Sequence, residues 1–174
     1  MKRRLIYEID QIYDRIRIKK KSIDLSEVIV QKIEKEDKNY KNYYKKAISF
    51  DKTRMCYPRG YCIYDLNLLP FFCEIYVIWY QKEVVGLIEL AVQNSRIKEK
   101  NYAVSIVVKR CYRKNHIASQ AMNLLIEELK KEGKCQNLIA QIKPYNTPSR
   151  KLFESLNFSL VSSYKENTVY EKKI

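Results

Sequence analysis

The chain has 174 residues, with 46% hydrophobic and 31% charged side chains, which suits one globular domain able to bury its own core. Three glycines and four prolines exclude long flexible linkers and low-complexity segments. The formal net charge is +14, and residues 1–70 and 71–174 each carry 17 basic and 10 acidic side chains, so the charge is not a basic tail. Such a surface favours an anionic partner or substrate, whether nucleic acid, nucleotide or acidic group, although a merely lysine-rich solvated surface accounts for it equally well.

At the N-terminus, "MKRRLIYEID" is basic but lacks the apolar stretch of a signal peptide, and "RRLIYEI" reads as a first strand. The run "RIRIKKK" at 15–21 reads as a solvated face. Ile29, Ile33, Tyr40, Tyr44 and Ala47 then recur at helical spacing, which predicts one or two helices over 25–50. From Phe72 the character changes. "CEIYVIWY" and "VVGLIELAV" are rich in β-branched and aromatic residues and read as strands, with "QKE" as the hairpin turn between them. The run "LLPFFCEIYVIWY" is too short to span a bilayer and carries Glu74, so it reads as core.

"YAVSIVVK" is a third strand of this series, and Asn115 is the expected N-cap of the helix "HIASQAMNLLIEELKKEG". Ile117, Ala121, Leu124, Leu125 and Leu129 form its apolar face, and Gly133 is its C-terminal stop. "NLIAQIK" follows as a strand. "NTPSRKLFESLNF" is a short helix with Thr147 as cap, Pro148 at the first helical position and Asn157 at a left-handed terminus. "FSLVSSY" and "TVYEKK" close the chain as two strands around "KEN". This order predicts an α/β (α+β) fold with a mixed, largely antiparallel sheet. The cysteines at 56, 62, 73, 111 and 135 show neither a paired spacing nor a histidine cluster, so reduced thiols in a cytoplasmic protein are expected and no metal site is.

The chemistry concentrates where strand "SIVVK" meets turn "RCYRKN" and helix "HIASQAM". A strand feeding a helix N-terminus aims free backbone N–H groups and the positive end of the helix dipole at one spot, which binds phosphate. Lys109, Arg110, Arg113 and Lys114 surround that spot. The bland alternative is a helix that merely begins after a basic turn.

"VVKRCYRKNHIASQAMNLLIEEL" followed by "AQIKPYNTPSRKLFESLNF" resembles the GNAT superfamily of N-acetyltransferases over roughly residues 72–172. In that family a strand leads into Arg/Gln-x-x-Gly-x-Gly/Ala at the start of a long helix, and a later helix opened by Asn ends in Tyr-x-x-x-Gly-Phe. The first pattern falls on Arg113, His116 and Ala118, the second on Asn146, Phe153, Asn157 and Phe158. The resemblance implies a single domain over 1–174. Residues 1–71 would shape the acceptor side, and 72–174 would form the acetyl-CoA core, with splayed strands making the cleft. Ile106, Val107 and Val108 would grip the pantetheine arm through their backbone, and the Val108 N–H would polarise the thioester carbonyl. Backbone N–H groups of Lys114, Asn115, His116, Ile117, Ala118 and Ser119, beside Arg113, would take the pyrophosphate. Asn146, with Ser149 in the same helix start, would touch the pantetheine, and Phe153 would line its thiol end.

The departures from the pattern bear on catalysis. His116 stands where the motif glycine lets the backbone approach the pyrophosphate, and it either crowds that approach or donates a hydrogen bond to phosphate. Phe153 replaces a Tyr that in many relatives protonates the departing thiolate, and Gln141 stands where one branch has a Glu base; neither residue can move a proton. Glu89, a carboxylate inside an apolar strand, is the best remaining base, against the alternative of a solvent-facing strand residue. Glu74 has a weaker case. Tyr145 and Tyr102 are candidate proton donors by proximity.

The function expected is an N-acetyltransferase that moves an acetyl group from acetyl-CoA to a primary amine. The acceptor would be a small molecule, such as a nucleotide-linked amino sugar, or a protein, and the charge suits an anionic or phosphorylated one. Two alternatives remain: a GNAT-like protein that binds acyl-CoA without catalysis, and a nucleic-acid-associated, tRNA-acting acetyltransferase. No nucleic-acid motif supports the latter. The resembling family also makes a homodimer an expectation.

Overall fold

The computed structural model describes residues 22–34, 36–39, 42–43, 73–92, 100–164 and 167–174. Among them the chain forms β1 (Ile29–Ile33), β2 (Cys73–Tyr80), β3 (Glu83–Val92), β4 (Lys100–Val108), α1 (Ile117–Glu132), β5 (Cys135–Ile142), α2 (Thr147–Ser155), β6 (Ser159–Ser163) and β7 (Thr168–Lys173). The strands make one seven-stranded sheet in the order β1-β2-β3-β4-β5-β7-β6, flanked by the two helices. Only β4 and β5 are parallel neighbours; every other pair is antiparallel. This is the mixed, largely antiparallel arrangement that the sequence predicts.

Residues 29–33 correct one expectation. Read as helical from the spacing of Ile29 and Ile33, they are a strand paired to β2 in the register Ile29↔Trp79 to Ile33↔Ile75. Residues 29 and 33 share a face in either conformation. The run Val28, Ile29, Val30 decides for the strand, because β-branched side chains pack better against β2 than around a helix. The strand expected at 3–9, the helical positions 40, 44 and 47, the run 15–21 and most of the expected acceptor-side segment 1–71 lie outside the described residues.

The hairpin between β2 and β3 turns on Gln81 (φ 46) and Lys82 (φ 63), the two left-handed positions of a type I′ turn, held here without glycine or asparagine. Side chains alternate across the sheet. Tyr76, Ile78, Ile88, Leu90, Tyr102 and Val104 face the larger core, which α1 closes with Ile117, Ala121, Met122, Leu125, Ile126 and Leu129. The opposite face of β1–β4 carries Ile33, Cys73, Ile75, Val77, Val84, Leu87, Ala91 and Ala103. Gly133 ends α1 in the left-handed conformation and donates its N–H to Leu129 O at 3.1 Å. Asn157 (φ 60) does the same duty after α2, where Phe158 N–H reaches back to Phe153 O at 3.0 Å.

Two helix starts differ by one residue from expectation. The N-cap of α2 is Asn146, whose Oδ1 accepts from Ser149 N–H at 3.3 Å, so Thr147 rather than Pro148 opens the helix. The N-cap of α1 is His116 rather than Asn115. No helix among the described residues is long and apolar enough to cross a membrane.

Gly86 pairs with Val108 of β4 and leaves no room there for a side chain. A Cβ added there would lie 2.6 Å from Val107 O and 2.9 Å from the Ile78 side chain. Gly86→Ala is therefore expected to push β4 outward around Val107 and to cost about 1–3 kcal/mol of stability. Urea unfolding of the variant measures it, and an unchanged midpoint would mean that β4 yields freely at this point.

Candidate active site

The parallel pairing of β4 with β5 runs from Lys100↔Cys135 to Ala103↔Ile139 and then stops. Beyond it β4 stays on β3 as far as Val108↔Gly86, while β5 continues on β7 as far as Ile142↔Thr168. The two strands therefore diverge, and among the described residues one edge of β4 has no strand partner from Val104 to Val108. Which backbone groups face that opening follows from the ladder. Lys109 N–H donates to Val85 O at 2.7 Å, which fixes pair 85/109 as hydrogen-bonded. In an antiparallel pair the bonded residues recur every second position, so Val107 and Ser105 bond to β3, whereas Val108 and Ile106 turn their N–H and C=O away from it. Of the three backbones expected to grip an acyl-pantetheine arm, Ile106 and Val108 face the opening, whereas Val107 is bonded to β3.

The turn after β4 leads directly to α1. A 3₁₀ turn (Arg110–Tyr112) precedes two left-handed residues, Lys114 (φ 63) and His116 (φ 60). The position where the motif has glycine thus does require glycine's conformation, and His116 holds it at a cost of about 1–2 kcal/mol. Asn115 is 5% exposed and turns inward, donating Nδ2 to Arg113 O (2.9 Å) and Tyr112 O (3.3 Å). Its side chain pins the turn instead of capping the helix, because it stands one residue too early. The helix start is left with no side-chain cap and no acidic residue in its first turn. The N–H groups of Ile117, Ala118 and Ser119 lie in that first turn, which has no intrahelical acceptor for them. The start of α2, by contrast, is closed by Asn146. An uncapped helix N-terminus beside an open strand edge is what a phosphate-bearing acyl carrier needs.

Further anchors hold the turn against the sheet. Arg113 Nε donates to Val108 O at 3.0 Å, tying the turn to the open edge of β4. Tyr112 OH donates to Glu83 Oε2 at 2.7 Å, and the Lys109 ammonium pairs with the same carboxylate. Lys109, expected beside the phosphate, is thus engaged at the β2–β3 hairpin. Tyr112 also packs edge-on against Tyr80, and its phenol is pushed up to about 12, chiefly by its bond to Glu83.

Glu89 is buried on the face of β3 opposite α1, not solvent-facing. Its Oε1 accepts from Cys73 Sγ at 3.1 Å and its Oε2 from Ser105 Oγ at 3.4 Å. Burial drives its pKa up against the opposing pull of those two hydrogen bonds. Phe153 is 3% exposed and stacks edge-to-face on Phe158 with centroids 4.9 Å apart, so the position that carries Tyr in many relatives sits in the core. Tyr145 is half-buried in the turn before α2. Tyr102 is buried, and its phenol is pushed up to about 12, first by desolvation and then by Glu74. Glu74 itself is salt-bridged to Lys32 at 2.9 Å on the side of the larger core. The structure thus brings Ile106–Val108 and the turn 113–119 together, and it sets Glu89 and Phe153 apart in buried positions. Ser105 and Glu83 escaped the sequence reading. For Ser105 the signal was there, as a single hydroxyl in the apolar run "YAVSIVV"; for Glu83 there was none.

Against families of known proteins, residues 37–158 match the model described as the acetyltransferase (GNAT) family. The chain belongs to the GNAT acetyltransferase family. Members of that family are acetyl-CoA-dependent acetyltransferases. Among solved structures, the GNAT-family acetyltransferase from Streptococcus pneumoniae is similar at 13% identity and a TM-score of 0.65, with 85% of this chain and 99% of that one covered. RimL, a ribosomal L7/L12 alpha-N-protein acetyltransferase in complex with coenzyme A, is similar at 13% and 0.65, with 90% and 97% covered. So is the Salmonella typhimurium acetyl transferase that modifies the N-terminal serine of ribosomal protein L7/L12, at 13% and 0.65, with 87% and 98% covered. At such identities the likeness is one of fold. No curated protein matches the chain in a sequence comparison.

Two outcomes are expected of this GNAT site. His116→Gly should relieve left-handed strain by about 1 kcal/mol and raise Tm by about 2–4 °C, while His116→Ala should not; thermal unfolding of the pair decides it. Glu89 keeps its proton in the fold at pH values where an unfolded glutamate, near 4.5, has released it. The native state then binds more protons than the unfolded one, so stability falls as pH rises from about 4.5 through the raised pKa. Glu89→Gln should be more stable than the wild type at pH 7, with the gap closing below about pH 4.5. Chemical denaturation across that range checks it.

Proposed function

We propose that the protein is an N-acetyltransferase that uses acetyl-CoA to acetylate a primary amine. The observation that carries this reading is the junction of the open edge of β4 with the uncapped start of α1, linked by Arg113 and Val108. The first-turn N–H groups of Ile117, Ala118 and Ser119 receive the pyrophosphate, and the backbones of Ile106 and Val108 hold the pantetheine. Acetyl-CoA supplies an acetyl group activated as a thioester. The Val108 N–H, turned away from β3, polarises that carbonyl as charge develops on its oxygen. Glu89 is the final acceptor of the proton that the acceptor ammonium must lose, since only the neutral amine attacks. The departing thiolate needs no proton from position 153, because a thiol with a pKa of about 8.5 leaves readily as its anion.

The acceptor proposed is an anionic or phosphorylated amine, in keeping with the net charge of +14. It is either a small molecule such as a nucleotide-linked amino sugar or a protein amine. A second reading, an acyl-CoA binder without catalysis, is favoured by the burial of Phe153 in the core and by Gln141 at the position of a Glu in one branch of the family.

Calorimetric titration with acetyl-CoA is expected to give saturable binding, and no heat at millimolar ligand would overturn the cofactor assignment. Thiol release is then followed over sugar nucleotides, polyamines and peptides, including the N-terminal peptide of ribosomal protein L7/L12. Turnover with any of them establishes the enzyme. Binding with silence across the panel establishes the non-catalytic reading.

A further inference from the structure

Glu89 is 2% exposed, so its carboxylate is out of reach of an acceptor amine. Its two polar contacts differ in access. Cys73, 3.1 Å from Oε1, is buried on β2. Ser105, 3.4 Å from Oε2, is half-buried on β4, between Val104 and Ile106, at the beginning of the stretch that has no β5 partner. The layer that holds Glu89 includes Ile33 of β1, Ile75 and Val77 of β2, Leu87 and Ala91 of β3 and Ala103 and Val107 of β4, with Tyr43 and Trp79 packed against it, none of them charged. A hydroxyl accepts one hydrogen bond while donating another, which is what a proton relay requires.

We propose that Ser105 is the group that meets the acceptor ammonium, and that Glu89 receives its proton through Ser105. This inference rests on the acetyltransferase reading above. In the step, Ser105 Oγ takes a proton from the ammonium nitrogen while its own hydroxyl proton passes to Glu89 Oε2. The freed nitrogen lone pair forms the C–N bond to the acetyl carbon, the C–S bond breaks, and its electron pair leaves with the CoA sulfur. The second nitrogen proton goes to water or to that thiolate. Protonated Glu89 then donates back to Ser105 Oγ, and the proton leaves to solvent by the same route. Burial thus gives the carboxylate a raised pKa while Ser105 gives it access. Glu89 is in these terms a positioning residue and a proton store, acting through Ser105.

The test uses the full chain and the variants Ser105→Ala, Ser105→Thr, Glu89→Gln and the double variant Ser105→Ala/Glu89→Gln. Ser105→Ala is expected to lower kcat by about tenfold or more with acetyl-CoA affinity unchanged, and Ser105→Thr to restore most of it. The double variant should be no slower than Glu89→Gln, because the two residues share one route. An independent readout is the infrared band of the protonated Glu89 carboxyl, assigned by its loss in Glu89→Gln. In Ser105→Ala it should persist to higher pH, since the charged form has lost a donor. Wild-type kcat in Ser105→Ala, additive losses in the double variant or an unmoved carboxyl titration would overturn the relay alone. A wild type that binds no acetyl-CoA overturns the acetyltransferase reading and the relay together.

Discussion

Everything at the candidate site depends on the parting of β4 and β5. Parallel strands normally satisfy each other's backbone along their length, and here the ladder stops after Ala103↔Ile139. Backbone groups on the open side of β4 are then committed neither to β3 nor to β5. Arg113 answers one of them, the Val108 carbonyl, and in doing so fixes where the following turn lies. The remaining polar edge is a template for an extended ligand that carries amide groups. Gly86 keeps this edge in place from behind, since a side chain there would collide with the Val107 carbonyl.

The turn between β4 and α1 is held by many small constraints in place of glycine. Lys114 and His116 adopt conformations that L-residues disfavour, and such strain persists only where the surroundings over-determine it. Asn115 bonded to two turn carbonyls, Tyr112 and Lys109 bonded to Glu83, and Ile117 buried beneath the helix supply that determination. The hairpin of β2 and β3 is therefore part of the site's support, although it lies far from it in sequence. A family pattern written around glycine can in this way be met by residues whose neighbours hold the same backbone shape.

Glu89 shows the opposing demands of stability and chemistry on one side chain. A carboxylate inside an apolar layer weakens the fold at neutral pH, and its two hydrogen bonds offset only part of that cost. The same burial raises its affinity for a proton, which is the property the proposed relay uses. Fold stability alone would prefer glutamine at this position. Sites that move protons commonly give up stability in this manner.

The sequence by itself determined the strands from Cys73 onward, both described helices, the left-handed Asn157 and the family, because these rest on local periodicity, turn chemistry and a motif of fixed spacing. It misread residues 29–33, where Ile29 and Ile33 share a face as helix or strand and only pairing with β2 breaks the tie. It also displaced each helix cap by one residue, since Asn115 and Asn146 are told apart only by which backbone atoms their side chains reach. Tertiary structure alone decided that Glu89 is buried, that Ser105 stands against it from the next strand, and that Lys109 is claimed by Glu83. Each of these depends on cross-strand register, and register is set by the packing of the whole sheet, which no local stretch of sequence records.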